Sequence, residues 1–403
     1  MLVKEGLKAY NSLYRRGDTM HEKLNFIMIA PHFPENFDTF ALRLNEAGFN
    51  TLGIADVPYH SFSDVLKNNL TEYYKVDDLE NYEDVLKAVG YFVSKYGRIH
   101  RIESHNEHWL ELDAKLRTDF NVFGYKNEDI EHIKNKSGMK KVFKSLGLKV
   151  ADGRVFKDEK DAFKLARRLK YPVIIKPDSG VGASDTFKIN SKTDLEDFFK
   201  TYNPNISYIM EAFIEGDIVT FDGLTNQKGD IVFSSSLIYK ENVLDTVKYD
   251  SDIFFYIPRR IDRDLRALGN QIAKAFNTKE RFFHFEFFKT KEGELIPLEV
   301  NMRPPGGATI DMFNYANNLD IFKEYANLAK GLPFGSKMER PYYCAYVSRK
   351  YQNYTYAHTQ DDIKAYLGHD FISVQTIPGV FSQIMGDEGY IFKCKTKREL
   401  ETY

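Results

Sequence analysis

The pattern of apolar runs in this 403-residue chain changes once, near residue 150, and that change restricts the fold more than any single motif. Before it, short buried-type strands alternate with helices. Leu24–Ala30 (LNFIMIA) is a continuous apolar run stopped by Pro31, as expected of a parallel strand covered on both faces. Phe37–Gly48 carries helical spacing through Phe40, Leu44 and Ala47 and closes on Gly48. Asn50–Ala55 reads as the next strand, Tyr82–Tyr96 as a helix, Arg98–Ile102 as a third strand and Glu107–Phe120 as the helix after it. Strands separated by helices pair in parallel, so residues 1–124 are expected to hold a small open α/β lobe.

After a largely helical stretch, Asn127–Leu146, and a strand and helix over 150–169, strands dominate. PVIIKP, SDTFKI, YIMEAF, DIVTFDGL, DIVFSSSLIY, FFHFEFF and ELIPLEV follow one another to about residue 300, and only Asp262–Phe276 reads as a helix among them. This predicts α+β organisation with mostly antiparallel pairing. The chain is too long for one compact core. The expected division is residues 1–124, 125–335, and a β-rich tail or cap over 336–403 carrying YYCAYVSR, FISVQTI and GYIFKCK.

Composition removes several classes of function. Lys and Arg number 56 against 58 Asp and Glu, so the net charge of −2 leaves no footprint for nucleic acid or an anionic membrane. No run approaches the length of a membrane span, and the first twenty residues lack the apolar core of a signal peptide. Two cysteines, Cys344 and Cys394, are too few for a disulfide framework and favour a reducing, cytoplasmic setting; each reads as a small buried apolar residue.

Three segments carry chemistry. In PVIIKPDSGVGASDT a buried strand delivers Lys176 into a loop containing Gly180 and Gly182. Glycines let backbone amides approach an anion, and the lysine adds a point charge, which together describe a phosphate cradle without the Walker pattern. A Gly-rich hairpin beside a solvated lysine explains the segment about as well. In HFEFF and ELIPLEVNMRPPGG, Glu286 and Glu299 fall on two strand-like runs joined by a short turn, each among apolar neighbours. A hairpin would direct both carboxylates into one partly buried space, where they repel unless a cation or shared proton separates them. With the Asn301 carbonyl they form an all-oxygen set suited to Mg²⁺. Arg303, two residues further on, suits an anionic oxygen. The bland alternative is two carboxylates paired with surface lysines. The third segment, YIMEAFIEGD, is by itself ordinary strand-turn sequence.

In order along the chain, these segments resemble the ATP-grasp superfamily, specifically its carboxylate–amine ligase branch. The resemblance covers roughly residues 24–335: an open α/β lobe ending in RIHRIES, the helical NKSGMKKVFKSLGL, then VIIKPDSGVGASDT, IMEAFIEGD, HFEFF and LEVNMRPPGG. It implies an ATP-grasp fold, an N-terminal open parallel-sheet lobe with two α+β lobes enclosing ATP. By that likeness Lys136, after Asn135, and Lys176 would hold the ATP phosphates under the Gly180–Gly182 loop. Glu211 and the backbone of Ala212 and Ile214 would meet adenine, and Asp217 the ribose. Glu286, Glu299 and Asn301 would bind Mg²⁺, with Mn²⁺ as a substitute, and Arg303 would steady an acyl-phosphate or substrate carboxylate.

The activity so implied is ATP-dependent joining of a small-molecule carboxylate to an amine, an amino acid or small peptide foremost. A bicarbonate-using carboxylase-type enzyme and a non-catalytic nucleotide-binding regulator are the alternatives, and a homodimer contact is one use for the tail. His100, His105 and His108 match no zinc spacing and read as a solvated strand end and helix start. Lys240, Arg259 and Arg260 read as surface charge.

Overall fold

The computed structural model describes residues 23–180, 185–240, 250–352 and 354–403. The first lobe is a four-stranded parallel sheet of β1 (Asn25–Ile29), β2 (Asn50–Ala55), β3 (Glu72–Lys75) and β4 (Ile99–Glu103), with helices α1 (Asp38–Glu46), α2 (Asp64–Asn69), α3 (Tyr82–Tyr96) and α4 (Leu110–Asp119). The apolar run predicted for β1 is buried at every position, which explains its lack of alternation. Strand order is β3-β2-β1-β4, so the chain reverses direction across the sheet between β1 and β4. In open sheets that reversal opens a crevice beyond the carboxyl ends of the two strands.

The stretch over 127–146 is largely helical, as expected, with one break. A 3₁₀ turn at Asn127–Asp129 leads into α5 (Ile130–Lys134), Asn135 adopts an extended conformation, and α6 (Lys136–Ser145) starts again. Asp178 supplies the missing cap from another lobe: its carbonyl accepts from Lys136 N at 2.8 Å, and its carboxylate accepts from Ser137 N and Oγ, each at 2.7 Å. The break therefore places Lys136 at a helix start tied to the strand that carries Lys176.

The second lobe is an antiparallel sheet ordered β5-β8-β6-β7, from β5 (Gly153–Val155), β6 (Val173–Pro177), β7 (Phe187–Ile189) and β8 (Tyr208–Ala212). It is backed by α7 (Glu159–Leu169) and α8 (Lys192–Thr201). The latter was not expected. Leu195 and Phe198 bury against Phe156 and Tyr208, so one aromatic-rich face overrides the polar composition of that helix.

The third unit is a nine-stranded sheet. Its strands are β9 (Asp217–Thr225), β10 (Ile231–Ser235), β11 (Ile238–Tyr239), β12 (Phe254–Ile257), β13 (Phe282–Lys289), β14 (Leu295–Asn301), β15 (Tyr343–Arg349), β16 (Phe371–Thr376) and β17 (Glu388–Cys394). The order β14-β13-β9-β11-β12-β15-β17-β16 makes the tail strands a continuation of the sheet that carries Glu286 and Glu299. Helices α9 (Arg263–Ala275), α10 (Thr309–Asn317), α11 (Ile321–Ala329), α12 (Gln360–Leu367), α13 (Gly379–Met385) and α14 (Lys397–Thr402) complete the unit. Cys344 and Cys394 are buried in β15 and β17, as the sequence suggested.

One core joins the first lobe to the large sheet. Phe40 packs against Phe322 of α11 at 4.7 Å between ring centres and against Phe282 of β13 at 5.8 Å. Beside this core, buried Glu103 receives Arg117 at 2.9 Å and Arg281 at 2.7 Å. Burial alone would raise the Glu103 carboxyl, but the Arg281 and Arg117 guanidiniums outweigh it and hold it at about 2. No helix among the described residues is long and apolar enough to cross a membrane.

Candidate active site

Glu286 and Glu299 are cross-strand partners in the β13–β14 ladder, so their side chains leave the same face of the sheet side by side. His284 pairs with Asn301 one step along the same face. The Asn301 Nδ2 lies 3.4 Å from an oxygen of each carboxylate. Rotating that amide by a half turn presents Oδ1 instead, giving three oxygen donors at one point. Among the described residues no group of three His, Cys, Asp or Glu forms a metal cage. Two carboxylates and an amide fit Mg²⁺, which takes few protein ligands and completes its shell with water and phosphate oxygens. Asn301 and the Lys136 ammonium, 3.6 Å from Glu299, temper the repulsion between the acids.

Two residues of this network escaped the sequence reading. His284 Nδ1 lies 2.5 Å from Asp222 of β9, and its Nε2 lies 3.2 Å from Glu286. Burial would lower its basicity, but the two carboxylates prevail and raise it to about 9, so it is an imidazolium at neutral pH. Asp222 accepts in turn from Thr220 Oγ1, which itself accepts from Leu237 N at 2.8 Å. This chain fixes the orientation of Glu286. The available signal was the period-2 repeat, since His284 sits two residues before Glu286, and Thr220 and Asp222 share one face of β9.

Helix α6 and the second lobe contribute the cations. Lys136, Lys140 and Lys176 are each only 7% exposed. Lys176 Nζ lies 3.0 Å from Glu211 Oε2, and Lys140 Nζ lies 2.6 Å from Glu211 Oε1. Burial disfavours the Lys176 ammonium, yet Glu211, Glu299 and Glu286 together hold its basicity above the usual lysine range. Of the hinge backbone, Ala212 N donates to Asp152 O at 2.7 Å and Phe213 N to Pro172 O at 3.3 Å. Ile214 lies half-buried in the turn that follows, and Asp217 is exposed at the start of β9. Gly180 is exposed at the mouth of the loop, and Gly182 lies outside the described residues.

The crevice of the parallel lobe opens onto the same place. Asn36, after β1, donates from Nδ2 to Gly307 O at 3.1 Å and to Asp311 Oδ2 at 2.9 Å. Glu107, after β4, brings Oε2 to 3.8 Å from Arg303 Nε. That oxygen is buried and has no hydrogen-bond partner. Burial raises the Glu107 carboxyl, which Arg303 only partly opposes. Arg303 NH1 is held on Pro304 O at 2.9 Å. From the tail, Met385 of α13 packs on Gly307; with its φ of 61°, any side chain there would be both strained and only 3.2 Å from the Met385 methyl. The tail therefore touches the turn that follows Arg303, whose Gly306 and Gly307 stay exposed.

Of the three histidines, His105 departs from the expected solvated setting. His105 is buried in the left-handed region at φ 56°, stacked on Phe40 at 3.9 Å between ring centres. Burial lowers its basicity to about 4, against the pull of Glu103. His100 Nδ1 accepts from Asn25 N at 3.0 Å, while exposed His108 meets Glu80 at 2.7 Å, so the three serve separate ends. Lys240, Arg259 and Arg260 are exposed, as expected of surface charge.

The fold is the ATP-grasp fold. Residues 169–311 match the ATP-grasp domain family. It is 28% identical over 264 residues to the L-arginine-specific L-amino acid ligase of Bacillus subtilis, covering 64% of this chain and 63% of that protein. It is 23% identical to the carbamoyl phosphate synthase large chain of Thermoanaerobacter sp., covering 54% of this chain but only 20% of that one. The chain thus spans less than two thirds of either relative. Among solved structures, an L-amino acid ligase from Bacillus licheniformis superposes with a TM-score of 0.73 at 15% identity, over 95% of this chain and 96% of that one. An ADP complex of N5-carboxyaminoimidazole synthetase from Staphylococcus aureus gives 0.69 at 16% identity, over 94% and 96%. These likenesses establish the fold.

Proposed function

We propose that the chain is an ATP- and Mg²⁺-dependent ligase that joins a small carboxylate to an amine, with amino acids or a small peptide as substrates. The observation that carries this reading is the opposed pair Glu286 and Glu299, with Asn301 between them and Lys136 and Arg303 around them. A protein that only bound nucleotide could lose one of the two facing carboxylates without harm. ATP, when bound, supplies the phosphoryl group that activates the substrate carboxylate as an acyl-phosphate.

Phosphoryl transfer asks mainly for alignment and charge neutralisation. Lys136 and Lys176 hold the phosphates, and Glu286, Glu299 and Asn301 hold the metal. Arg303 receives the substrate carboxylate. Glu107 is the acceptor for the incoming amine: its unpartnered oxygen lies close to Arg303, and its raised basicity suits taking an N–H or proton.

The test is phosphate release from Mg²⁺–ATP against amino acids singly and in pairs, with Lys176→Met as the blank. Release that depends on a particular pair is the expected result. Release driven by bicarbonate alone would favour a carboxylase, and silence with measurable ATP binding would favour a non-catalytic role.

A further inference from the structure

Both carboxylate oxygens of Glu211 are occupied by lysines, one from α6 and one from β6. Glu211 is itself 5% exposed. Ile174 is its register partner, and Lys176 lies two residues beyond Ile174 on the same face of the sheet. Lys140 stands one helical turn beyond Lys136, so α6 presents both on one side.

The two lysines are not equivalent. Lys140 is fixed, because its ammonium also donates to the Ala151 carbonyl. Lys176 is shared, since Glu299 and Glu286 draw on it as well as Glu211. A buried carboxylate stripped of its partner is heavily penalised. Were Glu211 to depend on Lys176 alone, phosphate oxygens would have to compete for that lysine against a buried charge left bare.

We propose that Lys140 is a positioning residue that keeps Glu211 neutralised, so that Lys176 is free to exchange from Glu211 to the nucleotide phosphates. This inference rests on the nucleotide reading above. It gives Glu211 the task of parking a lysine, where the family resemblance had it meet adenine. Lys140 escapes motif reading because it precedes another lysine; Lys141 is exposed and pairs with Glu131 at 2.7 Å.

The experiment is calorimetric binding of ADP and GDP to the full chain and three variants. Lys140→Met is expected to weaken ADP binding roughly tenfold. Adding Glu211→Gln to it should recover most of that loss, because no carboxylate remains to hold Lys176. The double variant should also bind ADP as well as Glu211→Gln alone, because Lys140 acts only through that carboxylate. Wild-type-like binding in Lys140→Met overturns the proposal, as does a double variant no better than Lys140→Met. If Lys140→Met does not fold, Lys140→Gln replaces it in the same comparison, with the same two outcomes deciding. Failure of the wild-type chain to bind either nucleotide would remove the nucleotide reading itself, a result distinct from all of these.

Discussion

Glu286 and Glu299 face each other across the β13–β14 ladder as register partners, with Asn301 Nδ2 3.4 Å from an oxygen of each. Like charges directly opposite on a sheet are destabilising unless a cation intervenes. Glu299→Gln should therefore leave the melting temperature unchanged or slightly raised, while lowering turnover by on the order of 10²–10³-fold. Parallel calorimetry and phosphate-release assays check this. Retained turnover would mean that the metal lies elsewhere.

Metal removal should separate the two halves of the site. Mg²⁺–ATP at about 100 times its dissociation constant should add roughly 2.7 kcal/mol of stability. With EDTA the lysines remain but the carboxylates face the phosphates unscreened, so the thermal shift should shrink markedly. An equal shift with and without the chelator would show that Glu286 and Glu299 do not participate.

The burial of His105 predicts a pH dependence of stability. Its basicity in the folded chain, at about 4, lies below the ordinary histidine value of 6.5. The unfolded chain thus binds the proton more readily, and stability falls as pH drops from about 6.5 towards 4, by up to about 3 kcal/mol. Asp113, pushed up to about 6 by burial, acts with the opposite sign. The comparison with His105→Asn, which tolerates the left-handed backbone, isolates the histidine: this variant should lose the downward slope. Identical pH profiles for the two proteins would contradict the buried, neutral state.

Gly269 offers a test of packing against propensity. In the middle of α9, alanine should stabilise the helix by roughly 1 kcal/mol. A Cβ there would lie 2.0 Å from Phe221 Cδ1, on a ring buried beneath the active-site sheet. Gly269→Ala should therefore lower the melting temperature; a rise would mean that β9 shifts freely.

Elements with one dominant local pattern were legible. Tyr82–Tyr96 and Asn50–Ala55 were predicted to the residue, because a helical apolar stripe and a continuous apolar run have few alternatives. The Glu286–Glu299 hairpin was legible because the alternation on both strands fixes which residues share a face. The break at Asn135 was not, since its cap comes from Asp178, 43 residues later in sequence. His105 was misread for the same kind of reason: Phe40 and Tyr325, which cover it, come from other elements.

By itself the sequence determined the succession of an open α/β lobe and antiparallel lobes, Lys176 at the end of a buried strand, and the paired carboxylates on one hairpin. Those follow from local periodicity and from residue chemistry at fixed spacing. Only the tertiary structure decided that Lys140 shares Glu211 with Lys176, that Asp222 and His284 orient Glu286, that Glu107 reaches Arg303 and that the tail strands extend the sheet carrying the carboxylates. Each of these depends on which surfaces meet when the lobes pack, and side chains far apart in the chain carry no periodic trace of that meeting.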